Sequence, residues 1–124
     1  MSQRREALIA RYRTISLDRV RSIRGKLGTV AEGNIEALAD VRRELHTLKG
    51  DSHLLGMVLI GKVAHACEER LLDPRALGSA VRVISDALDA IKLALRDDGG
   101  ERSADDNLRN ALAMLAEPAP EVAA

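Results

Sequence analysis

The stretch Glu44-Leu45-His46-Thr47-Leu48-Lys49-Gly50-Asp51-Ser52-His53-Leu54-Leu55-Gly56 decides how the rest of the chain is read. Leu38, Val41, Leu45, Leu48, Ser52 and Leu55 recur at intervals of three and four. That spacing is the core-facing stripe of an amphipathic helix. His46 falls on the opposite side. Lys49 and Gly50, three and four residues further on, share its face. A glycine inside a helix costs about 1 kcal/mol against alanine, so it needs a reason. One reason is that something large must come close to the His46 ring, where a Cβ would obstruct it. A solvent-facing histidine beside a lysine and a glycine is a reactive group with room for a partner.

Working outward, the same period predicts further helices. Residues 3 to about 31 carry Leu8, Ile9, Tyr12, Ile15, Val20, Ile23, Leu27 and Val30 at helical spacing, with arginines between them. Thr14 and Ser16 are weak helix formers, and the sequence leaves a break there open. Asn34 suits the cap of the His46 helix, with Glu36 in its first turn. Gly56 is its expected stop. A third helix is expected over 57–72, with Ile60, Val63, Ala64, Cys67 and Leu71 inward. Asp73-Pro74 starts a fourth, whose stripe is Leu77, Val81, Ile84, Leu88, Ile91 and Leu95. Asp97-Asp98-Gly99-Gly100 reads as a loop. Ser103 with Asp106 reads as a capping box for a fifth helix bearing Leu108, Ala111, Leu112 and Leu115. Short connections imply antiparallel neighbours. The expected fold is all-α: an up-down antiparallel four-helix bundle with an additional, fifth C-terminal helix. Residues 1–117 form the domain, and 118–124 begin a linker or tail.

Composition narrows the function. The chain has 124 residues, enough for one core. Hydrophobic residues make up 46% but aromatics only 1%, so Leu, Ile, Val and Ala must build that core. Nineteen basic and nineteen acidic residues cancel, which argues against nucleic acid as the main partner. A single cysteine excludes an internal disulfide and fits the cytoplasm. No apolar run approaches the roughly 18 residues of a membrane span. The N-terminal arginines are not followed by the apolar stretch of a secretory signal.

The pattern His46, Lys49, Gly50, Ser52, Leu55 and Gly56 resembles the H-x-x-K-G-x-[SA]-x-x-[LF]-G motif of histidine phosphotransfer domains. His65 and Glu68 follow nineteen and twenty-two residues after His46. That His-x-x-Glu is similar to the phosphotransfer domain at the front of CheA-type chemotaxis kinases, and the run from 44 to 69 to their gliding-motility members. The resemblance implies that His46 is phosphorylated, with Lys49, His65 and Glu68 around it. It implies two partners: the ATP-binding domain of a histidine kinase and the receiver domain of a response regulator. It also implies a monomer as an isolated domain.

The residues suggest roles that agree. Glu68 would accept the Nδ1 proton of His46 and leave Nε2 as nucleophile. Lys49 would offset the charge of incoming phosphoryl oxygens. His65 would join or tune the same cluster. Gly50 would clear the approach, while the role of His53 stays open. There is no G-x-x-x-x-G-K-[ST] loop, so no cofactor is expected in this domain and ATP belongs to a separate kinase domain. No catalysis of its own is expected. A metal site from His46, His53, His65, Cys67 and Glu68 is disfavoured, because dedicated sites show close ligand pairs such as H-E-x-x-H. The dimerising phosphoacceptor helix of ordinary sensor kinases is also disfavoured, since Thr47 rather than an acid follows His46. The remaining alternative is a helical adaptor in which His46 is incidental.

Overall fold

A computed structural model describes residues 3–96 and 101–117, apart from the side chains of Pro74 and residues 101–103. Among the described residues five α-helices follow one another: α1 (Gln3–Ala31), α2 (Ile35–Leu54), α3 (Val58–Arg70), α4 (Leu77–Arg96) and α5 (Glu101–Ala116). Among the described residues there is no strand. Helix α1 packs on α2 and α4, and α2 on α3. Helix α5 lies against both α3 and α4, so it covers the seam between them as the fifth element of a four-helix bundle. No helix of the described chain is long and apolar enough to cross a membrane.

The ends of α1 and α2 are cut by glycine. Gly33 (φ +92°) and Gly56 (φ +78°) adopt the left-handed conformation, which costs side-chain-bearing residues about 1–2 kcal/mol. At Gly56 the backbone N–H of Met57 donates to the Ser52 carbonyl at 2.7 Å, and that of Gly56 to His53 at 3.2 Å. This paired closure satisfies carbonyls that a helix end would otherwise leave bare. It reverses the chain so that α3 runs back along α2. Asn34 caps α2 by accepting from the Ala37 N–H at 3.0 Å.

Four expectations are settled or changed in detail. Helix α1 does not break at Thr14 or Ser16; Thr14 Oγ1 turns back onto the Ala10 carbonyl inside an intact helix. Its buried positions are Tyr12, Ser16, Val20, Ile23, Leu27 and Val30. Ser16 takes the inward place expected of Ile15, and Leu8 and Ile15 are exposed. Residues three and four after Tyr12 both lie near its face; the buried line runs by steps of four through Ser16 to Val20, and Ser16 faces the Tyr12 phenol as a hydrogen-bond partner. Asp73 caps a short 3-10 turn, Pro74–Ala76, that leads into α4, rather than α4 itself. Helix α5 begins at Glu101, so Ser103 lies inside it and is not its cap. The loop expected at 97–100 and the tail expected at 118–124 lie outside the described residues.

Among the described residues the core is mainly aliphatic and holds two buried polar residues, Ser16 and Ser52. Tyr12 Oη and Ser52 Oγ share a buried hydrogen bond of 2.7 Å between α1 and α2. Ser52 Oγ donates to the Leu48 carbonyl at 2.6 Å. This chain fixes α1 against the same turn of α2 that carries Lys49. Burial raises the Tyr12 phenol above its ordinary value, with hydrogen bonds to Ser52 and Ser16 opposing the shift. At the same level of α1, Arg13 donates to the carbonyls of Ala94 (3.2 Å) and Leu95 (2.8 Å). The guanidinium thereby ties the last turn of α4 to α1.

Candidate functional site

The site is built on the α2–α3 hairpin. His46 and Glu68 are each eleven residues from Met57, at the turn, so the reversal at Gly56 brings them level across the seam. Val41, Leu45, Leu48 and Ser52 hold the buried face of α2, which leaves His46 outward with 66% of its side chain exposed. Glu68 lies on the flank of α3, next to the buried positions Ala64 and Cys67. Its side chain is only 21% exposed.

The Glu68 carboxylate stands between two bases. Its Oε2 is 3.4 Å from His46 Nδ1, and its Oε1 is 3.9 Å from Lys49 Nζ. Both separations exceed an ordinary hydrogen bond. Oε1 is shielded from solvent and has no hydrogen-bond partner in the structure. A largely buried carboxylate in that state favours a proton donor or a cation beside it. The arrangement can fix one imidazole nitrogen toward α3, leave the other toward solvent, and compensate positive charge arising on the ring. Lys49 is 23% exposed, so most of its side chain packs along the seam.

The other expected residues are placed as follows. His65 lies on the outer side of α3, but its Nε2 approaches Glu69 Oε1 at 2.6 Å rather than entering the His46–Glu68 pair. One helical turn separates His65 from Glu69, and that local geometry is satisfied without crossing the seam. Gly50 is exposed, and a Cβ built on it meets no atom within 4 Å. Packing inside the domain therefore gives no reason for glycine there. Cys67 is fully buried, and burial pushes its thiol up to about 12, which makes it unreactive at neutral pH. Among the described residues, no three His, Cys, Asp or Glu side chains converge as a metal site would require.

Two features of the site region were not legible beforehand. The Tyr12–Ser52 bond joins elements 40 residues apart, and no local pattern announces it. The His53 ring lies over Gly61 of α3. The available signal was the equal distance of the two from Met57, four residues on either side, which repeats the His46–Glu68 relation two turns nearer the chain reversal.

Comparison with known proteins identifies the family. The model of the Hpt domain family matches residues 8–117. A gliding motility regulatory protein of Myxococcus xanthus is 36% identical over 85 residues. That alignment covers 68% of this chain but 11% of the relative, so the chain spans only a small part of that protein's length. No solved structure matches the chain. The aliphatic bundle, the exposed histidine level with a shielded carboxylate and the family match over most of the sequence lead to one assignment: the chain belongs to the Hpt domain family, the histidine phosphotransfer modules of phosphorelay signalling.

Proposed function

We propose that His46 accepts a phosphoryl group from ATP held by the catalytic domain of a histidine kinase, and yields it to an aspartate of a response-regulator receiver domain. The observation that carries this reading is the exposed His46 ring with Nδ1 3.4 Å from a mostly buried Glu68 carboxylate. With the Nδ1 proton directed at Glu68, the Nε2 lone pair attacks the γ-phosphorus of ATP. The bond to the bridging oxygen breaks and ADP leaves. The ring gains positive charge, which Glu68 compensates, and Lys49 offsets the negative charge of the phosphoryl oxygens. In the second step an aspartate oxygen attacks the phosphorus, the P–N bond breaks, and its electron pair returns to Nε2.

In this reading Gly50 keeps the approach to the ring open, and His65 acts at most from the rim, through Glu69. The domain comprises residues 1–117 and carries no cofactor; ATP belongs to the kinase domain. The chain is the phosphoacceptor part of a CheA-type kinase acting in the cytoplasm, and it is monomeric as an isolated domain. The similarity to a gliding motility regulatory protein supports the CheA-type assignment.

The test is incubation with a CheA-type kinase core and labelled ATP. Acid-labile, base-stable phosphate should form on the parent and be absent from His46→Gln. The variant should melt within a few degrees of the parent, since the ring is exposed. Phosphate retained by His46→Gln would place the acceptor elsewhere and leave the adaptor reading standing.

A further inference from the structure

Among the described residues, Gly61 is the one helix-interior glycine whose missing Cβ matters to packing. A Cβ there would lie 2.9 Å from His53 Nε2 and 3.1 Å from both Cδ2 and Cε1. All three contacts are to the outer edge of one imidazole, so the ring lies down in the notch that glycine leaves on α3. Gly61 is buried, while His53 itself is exposed. The three atoms involved belong to the far end of a side chain that is free to turn outward. A methyl group at 61 would therefore evict the ring into solvent rather than push the helices apart.

The direction of eviction matters because His53 shares the outer face of α2 with His46 and Gly50. It is seven residues from His46, about 10 Å along the helix axis. A standard protein–protein interface buries about 800 Å² per partner, a disc of radius about 16 Å. A protein domain centred on His46 thus covers His53. The γ-phosphorus must come within about 3–3.5 Å of the ring nitrogen for attack, so a standing side chain inside that disc holds the partner off.

We propose that Gly61 acts as a seat for His53, keeping the landing surface for the kinase catalytic domain flat. The proposal rests on His46 being the phosphoacceptor. Two glycines then clear the same face by different means: Gly50 by having no side chain there, and Gly61 by letting a neighbour's side chain fold away. Gly61 is a positioning residue and takes no part in the chemistry.

The experiment compares two phosphoryl donors on the parent, Gly61→Ala, His53→Ala and the double variant. One donor is a CheA-type kinase core with ATP, which must dock. The other is phosphoramidate, a small donor that releases ammonia and needs no docking surface. Gly61→Ala should lose about tenfold in rate with the kinase, within the range that misplacement of reacting groups produces. Its rate with phosphoramidate should match the parent, and its melting temperature should be equal or higher. His53→Ala should match the parent with both donors, and adding it to Gly61→Ala should restore the kinase rate. Equal losses with both donors would overturn the proposal, since the chemistry would then be what Gly61 affects. So would a double variant that stays slow, or a folded Gly61→Ala that the kinase phosphorylates at the parental rate. Should Gly61→Ala fail to fold, the double variant decides alone: folded and fast supports the seat, folded and slow overturns it. Failure of His46 as acceptor would show separately, as phosphate on another residue of the parent.

Discussion

At the scale of single residues, one carboxylate has to serve two bases. Glu68 places one oxygen toward His46 and the other toward Lys49. Glu68→Gln keeps the shape and the flank position but removes the charge, and its amide group can donate toward Nδ1 as well as accept. The Nδ1 proton then loses its fixed direction, and the positive charge gained on phosphorylation loses its compensation. We expect the phosphorylation rate with a kinase core and ATP to fall by about tenfold or more, the lower end of what proton positioning contributes. Helicity should hold. Transfer as fast as the parent's would reduce Glu68 to a structural acid on the α3 flank. The 2.6 Å contact of His65 with Glu69 makes a second, weaker demand on the same picture. His65 has its own local partner and leaves Glu68 undivided between His46 and Lys49.

At the scale of the element, α2 is amphipathic in an unusual sense: its wet face is kept bare in the middle. Gly50 sits one turn beyond His46, and a Cβ there meets nothing within 4 Å. Gly50→Ala should therefore raise stability by about 1 kcal/mol through helix propensity alone. Gly50→Gln adds bulk at the place where a partner domain must reach the ring. Phosphoryl transfer should fall in the order Gly, Ala, Gln while the melting temperature does not. A Gln variant as fast as the parent would show that close approach is not the reason for glycine. Gly56 differs in kind. Its φ of +78° is required by the turn, so its role belongs to the hairpin that brings Glu68 level with His46. The two glycines lie six residues apart in one motif and answer to different physics, one to a partner and one to the backbone.

At the scale of the whole molecule, stability should depend on alkaline pH through buried groups that take no part in phosphoryl transfer. The Cys67 thiol is pushed from 9.0 up to about 12 by burial. The Tyr12 phenol is raised from 10.0 by the same cause, with its hydrogen bond to Ser52 opposing. Both are acids that are neutral when protonated, and folding disfavours their charged forms. Their contribution is complete below the unfolded values and is lost as pH rises through the folded ones. The denaturant midpoint should therefore decline from about pH 9 toward pH 12 in reducing buffer. Cys67→Ala should lower stability at neutral pH by leaving a small cavity, yet flatten the decline. An unchanged slope in that variant would assign the decline to other groups.

The helices and the motif residues could be assigned from the sequence because both depend on local spacing. The intervals of three and four that bury Val41, Leu45, Leu48 and Ser52 also turn His46 outward, and Asn34 and Gly56 mark the ends of α2 by their own backbone chemistry. Gly56 even carried the placement of Glu68, since a hairpin reversing there brings equidistant residues together. Ile15 was misplaced because a stripe with mixed intervals does not say which of two adjacent residues faces in, and Ser16 faces in through a phenol that bonds to another helix. What only the tertiary structure decided are the contacts between helices: the Tyr12–Ser52 bond, the Arg13 clamp on the end of α4, the choice of Glu69 over Glu68 by His65, and the seating of His53 on Gly61. Each depends on which side chains a packed seam brings within a few ångströms, and periodicity along one helix holds no information about the rotation of its neighbour.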